Sequence, residues 1–342
     1  MKQRYRNIFL LFGIAAIVVM LCTFDVNYRE LWHNLLRAGY WFPAIMLLWV
    51  VIYLMNALSW YFIIKDGENI RISFSRVYKL TISGFALNYA TPFGLMGGEP
   101  YRIMELTPYV GASKATSSVI LYVMMHIFSH ICFWFASIFL YIGLYRVSWE
   151  MAILLFIIGL FCLLLIYLFM KGYKSGMAFR TIHLLSYIPI IKGWARRFIV
   201  SQEETLKRID SQIAKLHKQR KRTFYSAFFL EFLSRIVGCL EIYFILNILT
   251  NDVSFPVCIL IMAFSSLFSN LFFFSPMQLG AREGGLALAV GGLSISGAIG
   301  VYTGLITRVR ELLWIVIGVA LMKIGNENMT YQNPNKHKGE LI

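Results

Sequence analysis

The sequence predicts an all-α polytopic membrane protein, and its composition, its apolar runs and its charge distribution support this fold class. Of 342 residues, 58% are hydrophobic, only 14% are charged, and the mean hydropathy is +0.66. Soluble chains carry about a quarter charged residues, so this chain has more apolar surface than a protein core can bury. A lipid bilayer must therefore solvate much of it.

Apolar runs near the length needed to cross ~30 Å of hydrocarbon predict six full spans. They are Asn7–Phe24, Trp41–Ile64, Thr116–Tyr145, Met151–Met170, Tyr225–Leu249 and Ala298–Met322. Two more apolar segments, Val77–Val110 and Phe255–Ile295, are broken by proline and glycine, and we expect both to be re-entrant hairpins. The chain would then have about eight membrane segments.

Charge predicts the orientation of these segments. The stretch from Lys171 to Arg222 contains thirteen Lys and Arg residues and three acidic ones, which gives it a net charge of +10. Such a stretch is typical of a cytoplasmic loop beside anionic lipid headgroups, and the sequence shows no nucleic-acid-reading motif. Lys2, Arg4 and Arg6 likewise place the N-terminus inside, and Lys323 and the residues after it place the C-terminus inside.

The predicted organisation follows from these assignments. Residues 1–170 form a first membrane repeat with its hairpin at 77–110, and residues 171–222 form a basic loop that ends in the amphipathic helix Ser201–Arg222. Residues 223–325 form a second membrane repeat with its hairpin at 255–295, and residues 326–342 a polar, disordered tail. Each hairpin must make an even number of crossings, and the two must enter from opposite sides.

The two broken segments share a sequence pattern. Ile72-Ser73-Phe74 corresponds to Val253-Ser254-Phe255, and the spacing from Pro92 to Glu99 equals that from Pro276 to Glu283. Asn88 and Asn270 precede the two prolines. Entry from opposite sides would make this an inverted-topology repeat, the arrangement of many secondary transporters, whose substrate sites lie where discontinuous helices meet.

The loops Pro92–Arg102 (PFGLMGGEPYR) and Pro276–Gly284 (PMQLGAREG) resemble the two signature loops of the lysylphosphatidylglycerol synthase transmembrane-region family, also called flippase-like membrane proteins. The resemblance extends over essentially the whole chain. It implies two re-entrant hairpins and movement of a lipid between leaflets. In the namesake synthases a soluble lysyl-transferring domain follows the membrane part, whereas here a short tail follows Lys323, so we expect no enzyme activity and consider a lysyltransferase label doubtful.

Charged residues within membrane segments are the candidate substrate-binding residues, because each costs a few kcal/mol to insert. The set is Glu99, Arg102, Arg282, Glu283, Glu231, Arg235 and Arg308, with the polar Asn88 and Asn270. The predicted hinge and loop residues are Pro92, Gly97, Gly98, Pro276, Gly280 and Gly284. Arg102 and Arg282 could hold a lipid phosphate from opposite faces. Alternatively, each arginine pairs with Glu99, Glu105 or Glu283 and only stabilises its hairpin.

Local spacing suggests how the other intramembrane polar residues interact. Glu231 and Arg235 are four residues apart, which suits either a helical ion pair or a polar stripe lining a headgroup path. Arg310 points away from Arg308 and Glu311 and needs a partner on another helix. Two further expectations concern the first hairpin and the third span. Glu99 should cap a helix that starts at Pro100, and His126 and His130 should form interhelical hydrogen bonds rather than a zinc site.

The leading functional hypothesis is a flippase-like lipid transporter, multi-pass in the cell (inner) membrane, that needs no cofactor or metal and has no catalytic residues. Its substrate would be a phospholipid or lipid-linked precursor with an anionic or modified headgroup. One alternative is an accessory protein that binds a lipid for a separate glycosyl- or aminoacyl-transferase through Ser201–Arg222. Another is a headgroup-modifying enzyme with Glu99 or Glu283 as base. Membrane lipids are the expected partners, and homo-oligomerisation is left open.

Overall fold

The structure, a computed structural model, describes residues 39–66, 70–90, 97–175, 221–250, 253–271, 281–293 and 297–323. Every regular element within these ranges is an α-helix, as the sequence predicts. The helices are α1 (Trp41–Lys65), α2 (Phe74–Ala90), α3 (Gly98–Val110), α4 (Ala112–Leu144), α5 (Trp149–Ser175), α6 (Lys221–Leu249), α7 (Phe255–Leu271), α8 (Ala281–Gly292) and α9 (Gly297–Leu321).

Three of these helices, α1, α4 and α5, are long and apolar enough to cross a membrane. Helix α5 lies at the outside of the bundle, where it packs mainly on α4 and exposes large apolar side chains such as Phe156, Ile157 and Leu160. Exposed apolar surface of this extent is stable in contact with lipid acyl chains and not in water. The described chain is therefore consistent with a helical membrane protein.

Five of the six predicted spans correspond to helices α1, α4, α5, α6 and α9. Two helices reach further than predicted: α4 begins at Ala112 and α5 continues to Ser175. Helix α6 begins at Lys221 and so takes the last two residues of the predicted basic loop. The predicted span Asn7–Phe24, residues 176–220 of the predicted basic loop and the tail lie outside the described residues.

Each proline-broken segment contains two helices that pack against each other, α2 on α3 and α7 on α8. The first helix of each pair has 17 residues and begins at the phenylalanine of the shared pattern, Phe74 or Phe255. The residues that join the paired helices, 91–96 and 272–280, lie outside the described part of the chain, and with them Pro92, Pro276 and Gly280.

The start of α3 differs from the sequence expectation. The helix begins at Gly98 and not at Pro100, with Glu99 in its first turn. The N–H of Gly98 donates to Asn88 Oδ1 at 2.6 Å, so the capping acceptor belongs to the preceding helix and not to Glu99. A side-chain acceptor that reaches across from α2 satisfies an N–H group that would otherwise lack a partner, and this lets the helix start two residues earlier.

Helix packing in the first half of the described chain recurs in the second half. The contacts of α1 with α2, of α2 with α3 and of α3 with α4 correspond to those of α6 with α7, of α7 with α8 and of α8 with α9. Helix α2 also packs on α9, as α7 packs on α4. The contact pattern therefore pairs α1 with α6, α2 with α7, α3 with α8 and α4 with α9.

Helices α1 and α6 lie side by side and run antiparallel. Towards the end of α1, Ser59 Oγ donates to the carbonyl oxygen of Ala227 near the start of α6, at 3.2 Å. Nearer the start of α1, Trp49 Nε1 donates to Glu241 Oε2 in the last part of α6, at 3.0 Å. Helices α1 and α6 thus point in opposite directions.

Candidate functional site

The interior of the helical bundle contains three groups of charged side chains. Burying an unpaired charge is costly, so the partners of each group indicate what it does. We name the groups by position: the α6/α9 group around Arg310, the α3 group around Arg102, and the α4/α6 group around Arg235.

The α6/α9 group is built on a two-point ion pair. Arg310 Nε donates to Glu241 Oε1 at 2.9 Å, and Arg310 Nη2 donates to Glu241 Oε2 at 3.0 Å. The Arg310 guanidinium carbon also lies 3.7 Å from the centre of the Trp49 ring, whose Nε1 donates to the same carboxylate. Arg310 and Glu241 are both fully buried. This arrangement fixes α9 against α6 and α1.

Glu311 extends this group towards the second broken segment. It accepts from Arg308 Nη1 at 3.3 Å and pairs with Arg282 at the start of α8. Among the described side chains of the group, three guanidinium groups share two carboxylates. Arg310 Nη1 is buried without a hydrogen-bond partner in this part of the structure, whereas the Arg282 side chain is 19% exposed. Positive charge is thus concentrated beside the break between α7 and α8.

The α3 group holds Arg102 in an enclosed aromatic site. The guanidinium carbon lies 4.9 Å from the centre of the Phe85 ring, 5.3 Å from Tyr122 and 5.8 Å from Trp60. Its Nη2 donates to the carbonyl oxygen of Thr81 at 3.3 Å. The side chain is 1% exposed. Cation–π contacts and burial make this a site that holds Arg102 in place.

Arg102 also pairs with Glu99, and Asn88 completes the contact between α2 and α3. Arg102 Nη1 lies 3.5 Å from Glu99 Oε1, which also accepts from Asn88 Nδ2 at 2.9 Å. Asn88 therefore bonds the helix start through its oxygen and the carboxylate through its nitrogen. Gly84 lies against the guanidinium, since a Cβ added there would overlap Arg102 Nε. In the structure Arg102 has the pairing partner that the second interpretation of the sequence expected.

The α4/α6 group does not contain the Glu231–Arg235 ion pair, which was one of the two arrangements that their spacing suits. Glu231 Oε2 bonds His126 Nδ1 at 2.8 Å. Arg235 donates to Ser129 Oγ at 2.8 Å, to His130 Nε2 at 2.7 Å and to the carbonyl oxygen of His126. Both charged residues of α6 thus bond α4, which confirms the interhelical role expected for the two histidines. The intrahelical pair is not formed because α4 presents polar atoms on successive turns.

Phe85 lies where the three groups come together. Besides its contact with Arg102, its ring centre is 5.7 Å from that of His126 and 5.6 Å from that of Tyr53. Tyr53 in turn lies against Trp49, with ring centres 5.4 Å apart, and so leads to the α6/α9 group. Phe85 is partly exposed, as are Tyr89 and His126. The groups therefore border one interior region of α2, α4, α6 and α9.

The remaining predicted site residues have varied positions. Asn270 donates to the carbonyl oxygen of Ser266 in its own helix at 2.7 Å. Gly97 directly precedes α3, and a Cβ on Gly98 would overlap the carbonyl oxygen of Gly84, so this glycine allows α2 and α3 to approach closely. A Cβ on Gly284 would meet nothing within 4 Å. Glu283 belongs to α8, but its side chain lies outside the described part of the structure.

Several residues of the site were not among the predicted ones. Glu241 lies on the polar stripe that starts at Glu231, and the need of Arg310 for a partner on another helix could have identified it. Trp49, Tyr53 and Phe85 had no such signal, because aromatic residues are common throughout the chain. Within the described residues, no group of three His, Cys, Asp or Glu side chains is arranged to hold a metal ion.

Comparison with known proteins gives one match. The model of the family described as "Lysylphosphatidylglycerol synthase TM region" matches residues 8–319. This range includes all three groups of charged side chains and both broken segments. No curated protein and no solved structure gives a significant match to the chain.

Proposed function

Because the chain belongs to the lysylphosphatidylglycerol synthase transmembrane-region family, we propose that it moves a lipid with an anionic headgroup between the two leaflets of a membrane. Family membership makes it a membrane protein related to lipid handling. Transport, the choice of headgroup and the residues that bind it are the proposal, and the contacts inside the bundle support it.

The observation that carries the proposal is the arginine-rich α6/α9 group beside the second broken segment. Arg282, Arg308 and Arg310 converge on two carboxylates, and the buried Arg310 Nη1 lacks a partner among the described residues. A phosphate oxygen would satisfy such a donor and offset the positive charge, and the planar guanidinium group matches phosphate geometry. Arg282 is the most exposed of the three arginines and would contact the headgroup first.

Access from both leaflets is supported by the antiparallel packing of α1 and α6. If these helices are corresponding elements of two repeats, the repeats have opposite orientations in the membrane. Each broken segment would then enter from a different leaflet, and the charged interior between them would be reachable from either side in turn. The headgroup would move through this interior while the acyl chains remain in the lipid around the bundle.

In this proposal the two predicted arginines have different roles. Arg282 binds the headgroup, since its side chain is partly exposed and, among the described residues, it shares its carboxylate partner Glu311 with two other arginines. Arg102 is a positioning residue, since aromatic rings enclose it and its pairing with Glu99 fixes α3 against α2. Non-helical backbone at membrane depth requires such fixed neighbours to satisfy its polar groups.

The test is lipid movement by the purified protein in liposomes. Labelled phosphatidylglycerol is placed in both leaflets, and an impermeant reductant removes the outer label, so continued loss of signal reports movement. Arg282→Ala should slow the movement by about 10- to 100-fold, the equivalent of a charge-assisted hydrogen bond of about 1.5–3 kcal/mol. Arg146→Ala, which removes an exposed arginine between α4 and α5, is the matched control.

Two results would overturn the transport proposal. One is a wild-type rate equal to that of empty liposomes for anionic and zwitterionic lipids alike. The other is equal slowing by Arg282→Ala and Arg146→Ala, which would remove the role of the α6/α9 group.

Formation of a modified lipid by the isolated chain would favour the enzyme alternative, and loss of a transferase partner on deletion of Ser201–Arg222 would favour the accessory alternative.

A further inference from the structure

A histidine and a buried glutamate form a contact in the α4/α6 group that the proposed function does not use. His126 Nδ1 and Glu231 Oε2 are 2.8 Å apart. The Glu231 side chain is fully buried, and its second oxygen, Oε1, has no hydrogen-bond partner among the described residues. The His126 side chain is 29% exposed and belongs to the interior region around Phe85. A buried carboxylate here contacts a partly exposed imidazole ring.

Arg235 does not take the place of His126 as the partner of Glu231. Its guanidinium donates to Ser129 Oγ, to His130 Nε2 and to the carbonyl oxygen of His126. Arginine is a donor only, so His130 Nε2 must accept, and the proton of a neutral His130 is on Nδ1. The Nε2 atom of His130 is therefore occupied by its hydrogen bond with Arg235. His126 keeps one ring nitrogen, Nε2, that no hydrogen bond in the described chain uses.

The charges around His126 balance only while the ring is neutral. The charged groups that face it are Glu231 and Arg235 on α6 and Arg102 on α3. The uncharged rings of Tyr122 and His130 contact it from its own helix. Arg102 is paired with Glu99, so the charges around His126 come from two guanidinium groups and two carboxylates and sum to zero. Helices α1, α5 and α7, which also pack on α4, contribute no charged group to this neighbourhood within the described residues. A proton on His126 would leave one positive charge in excess.

From this geometry we propose that His126 binds a proton that crosses the membrane together with the anionic headgroup, so that a proton gradient drives the lipid movement. This inference rests on the proposed transport function. A proton from water binds the lone pair of Nε2, and the resulting imidazolium remains bonded to Glu231 through Nδ1. No covalent bond between heavy atoms changes. On the other side of the membrane the same proton returns from Nε2 to water.

The coupling follows from charge. Without a bound anion, a proton on His126 adds one uncompensated positive charge beside Arg235 and Arg102. An anionic headgroup in the interior offsets that charge, so it favours the proton, and by reciprocity the proton favours the headgroup. Neither would bind well alone at a depth where uncompensated charge is costly. The partly exposed ring, and the Glu231 oxygen that has no partner among the described residues, distinguish this pair from a contact that only joins two helices.

The decisive experiment uses liposomes with and without a transmembrane pH gradient, in which movement of labelled phosphatidylglycerol is followed. For each variant, the rate of lipid movement with the gradient is divided by the rate without it. This ratio does not depend on the overall activity of the variant. Wild type should give a ratio severalfold above one, and His126→Gln a ratio near one. Glutamine at this position can still donate to Glu231 but cannot take up a proton. His217→Gln, in the predicted basic loop, is the control and should keep the wild-type ratio.

The possible outcomes separate this inference from the proposed function. If the wild-type rate of lipid movement is the same with and without the pH gradient, proton coupling is refuted and the lipid-transport proposal still stands. If wild type moves no lipid, the transport proposal fails. In that case calorimetry of phosphatidylglycerol binding in two buffers of different ionisation enthalpy still decides the proton site. Uptake of about one proton per bound lipid in wild type and none in His126→Gln supports it. Equal uptake in both variants, or none in either, overturns it.

Discussion

Arg310 and Glu241 are joined by two parallel hydrogen bonds inside the bundle, from Nε to Oε1 at 2.9 Å and from Nη2 to Oε2 at 3.0 Å. The pair links α9 to α6, and Trp49 of α1 covers one face of it and bonds the same carboxylate. The ion pair thus joins two helices of the second half of the described chain, and Trp49 connects it to the first half. Because both side chains are fully buried, removal of the ion pair should lower the free energy of unfolding.

A double-mutant cycle tests this pair. Glu241→Gln leaves the buried Arg310 with only the shared carboxylate of Glu311, 3.8 Å away, and Arg310→Gln leaves Glu241 buried without a cation, so each should lower the free energy of unfolding by about 3–5 kcal/mol. The double variant should lose less than the sum, with a coupling energy of about 0.5–3 kcal/mol. Denaturation of the detergent-solubilised protein measures all three. Glu150→Gln, at the exposed start of α5, removes a carboxylate only from a helix N-terminus and should cost much less than either variant of the pair, and purely additive losses would contradict the pair.

The close contact between Gly84 and Arg102 gives a second prediction. A methyl group at position 84 would overlap Arg102 Nε and force the guanidinium out of its aromatic site. Gly84→Ala should therefore destabilise the protein by about 1–3 kcal/mol, the usual cost of overpacking. Thermal unfolding in detergent measures the loss. The same substitution in an Arg102→Ala background should cost much less, because the overlapping group is gone.

Gly143→Ala is the matched control for this position. Gly143 also lies within a helix, but a Cβ there would meet nothing within 4 Å. Alanine should stabilise α4 slightly, by about 0.5–1 kcal/mol, since it restricts the unfolded chain. If Gly84→Ala and Gly143→Ala had the same effect, the enclosed position of Arg102 would be wrong.

Local sequence signals predicted the helices but not the pairing of their charges. Proline and glycine identified both broken segments, and the shared Ser-Phe dipeptides coincide with the starts of α2 and α7. The contact of Arg308 with Glu311 could be predicted, because residues three apart share a helix face. Arg310 and Glu241 are 69 positions apart, and only the crossing of α6 and α9 brings them together.

Where a local rule and a tertiary contact competed, the tertiary contact prevailed. The spacing of Glu231 and Arg235 predicts a pair within α6, but His126, Ser129 and His130 present better partners across the interface. The helix expected at Pro100 begins at Gly98 for a similar reason, because the oxygen of Asn88 reaches its first N–H. In both cases the sequence next to the residue does not indicate the partner, which lies on another helix.

The interface between α4 and α6 provides a third prediction. Arg235 uses three nitrogens on three acceptors of α4, a geometry that only a guanidinium can supply. Arg235→Lys keeps the charge but loses most of these bonds, so the free energy of unfolding should fall by about 1–3 kcal/mol. Arg222→Lys, at the exposed start of the same helix, is the control and should leave stability unchanged. Equal behaviour of the two variants in detergent denaturation would contradict the contacts of Arg235.

The antiparallel packing of α1 and α6 leads to a prediction about the membrane itself. Asp66 follows the last residue of α1, and Thr250 follows the last residue of α6, the corresponding helix. In an inverted repeat the two positions face opposite sides. Single cysteines placed at 66 and 250, after replacement of the five native cysteines, should react with an impermeant maleimide from opposite sides in intact cells and inverted vesicles. Lys221→Cys, at the start of α6, should behave like position 66.

The same labelling decides whether the broken segments enter from different leaflets. Cysteines at Gly97 and Gly280 lie at equivalent breaks in the two halves of the sequence, so they should also be reached from opposite sides. Reaction of both from one side would mean that the two breaks share a leaflet. An anionic headgroup could then not pass from one broken segment to the other across the interior, and the transport mechanism proposed above would fail even if every ion pair in the bundle were as described.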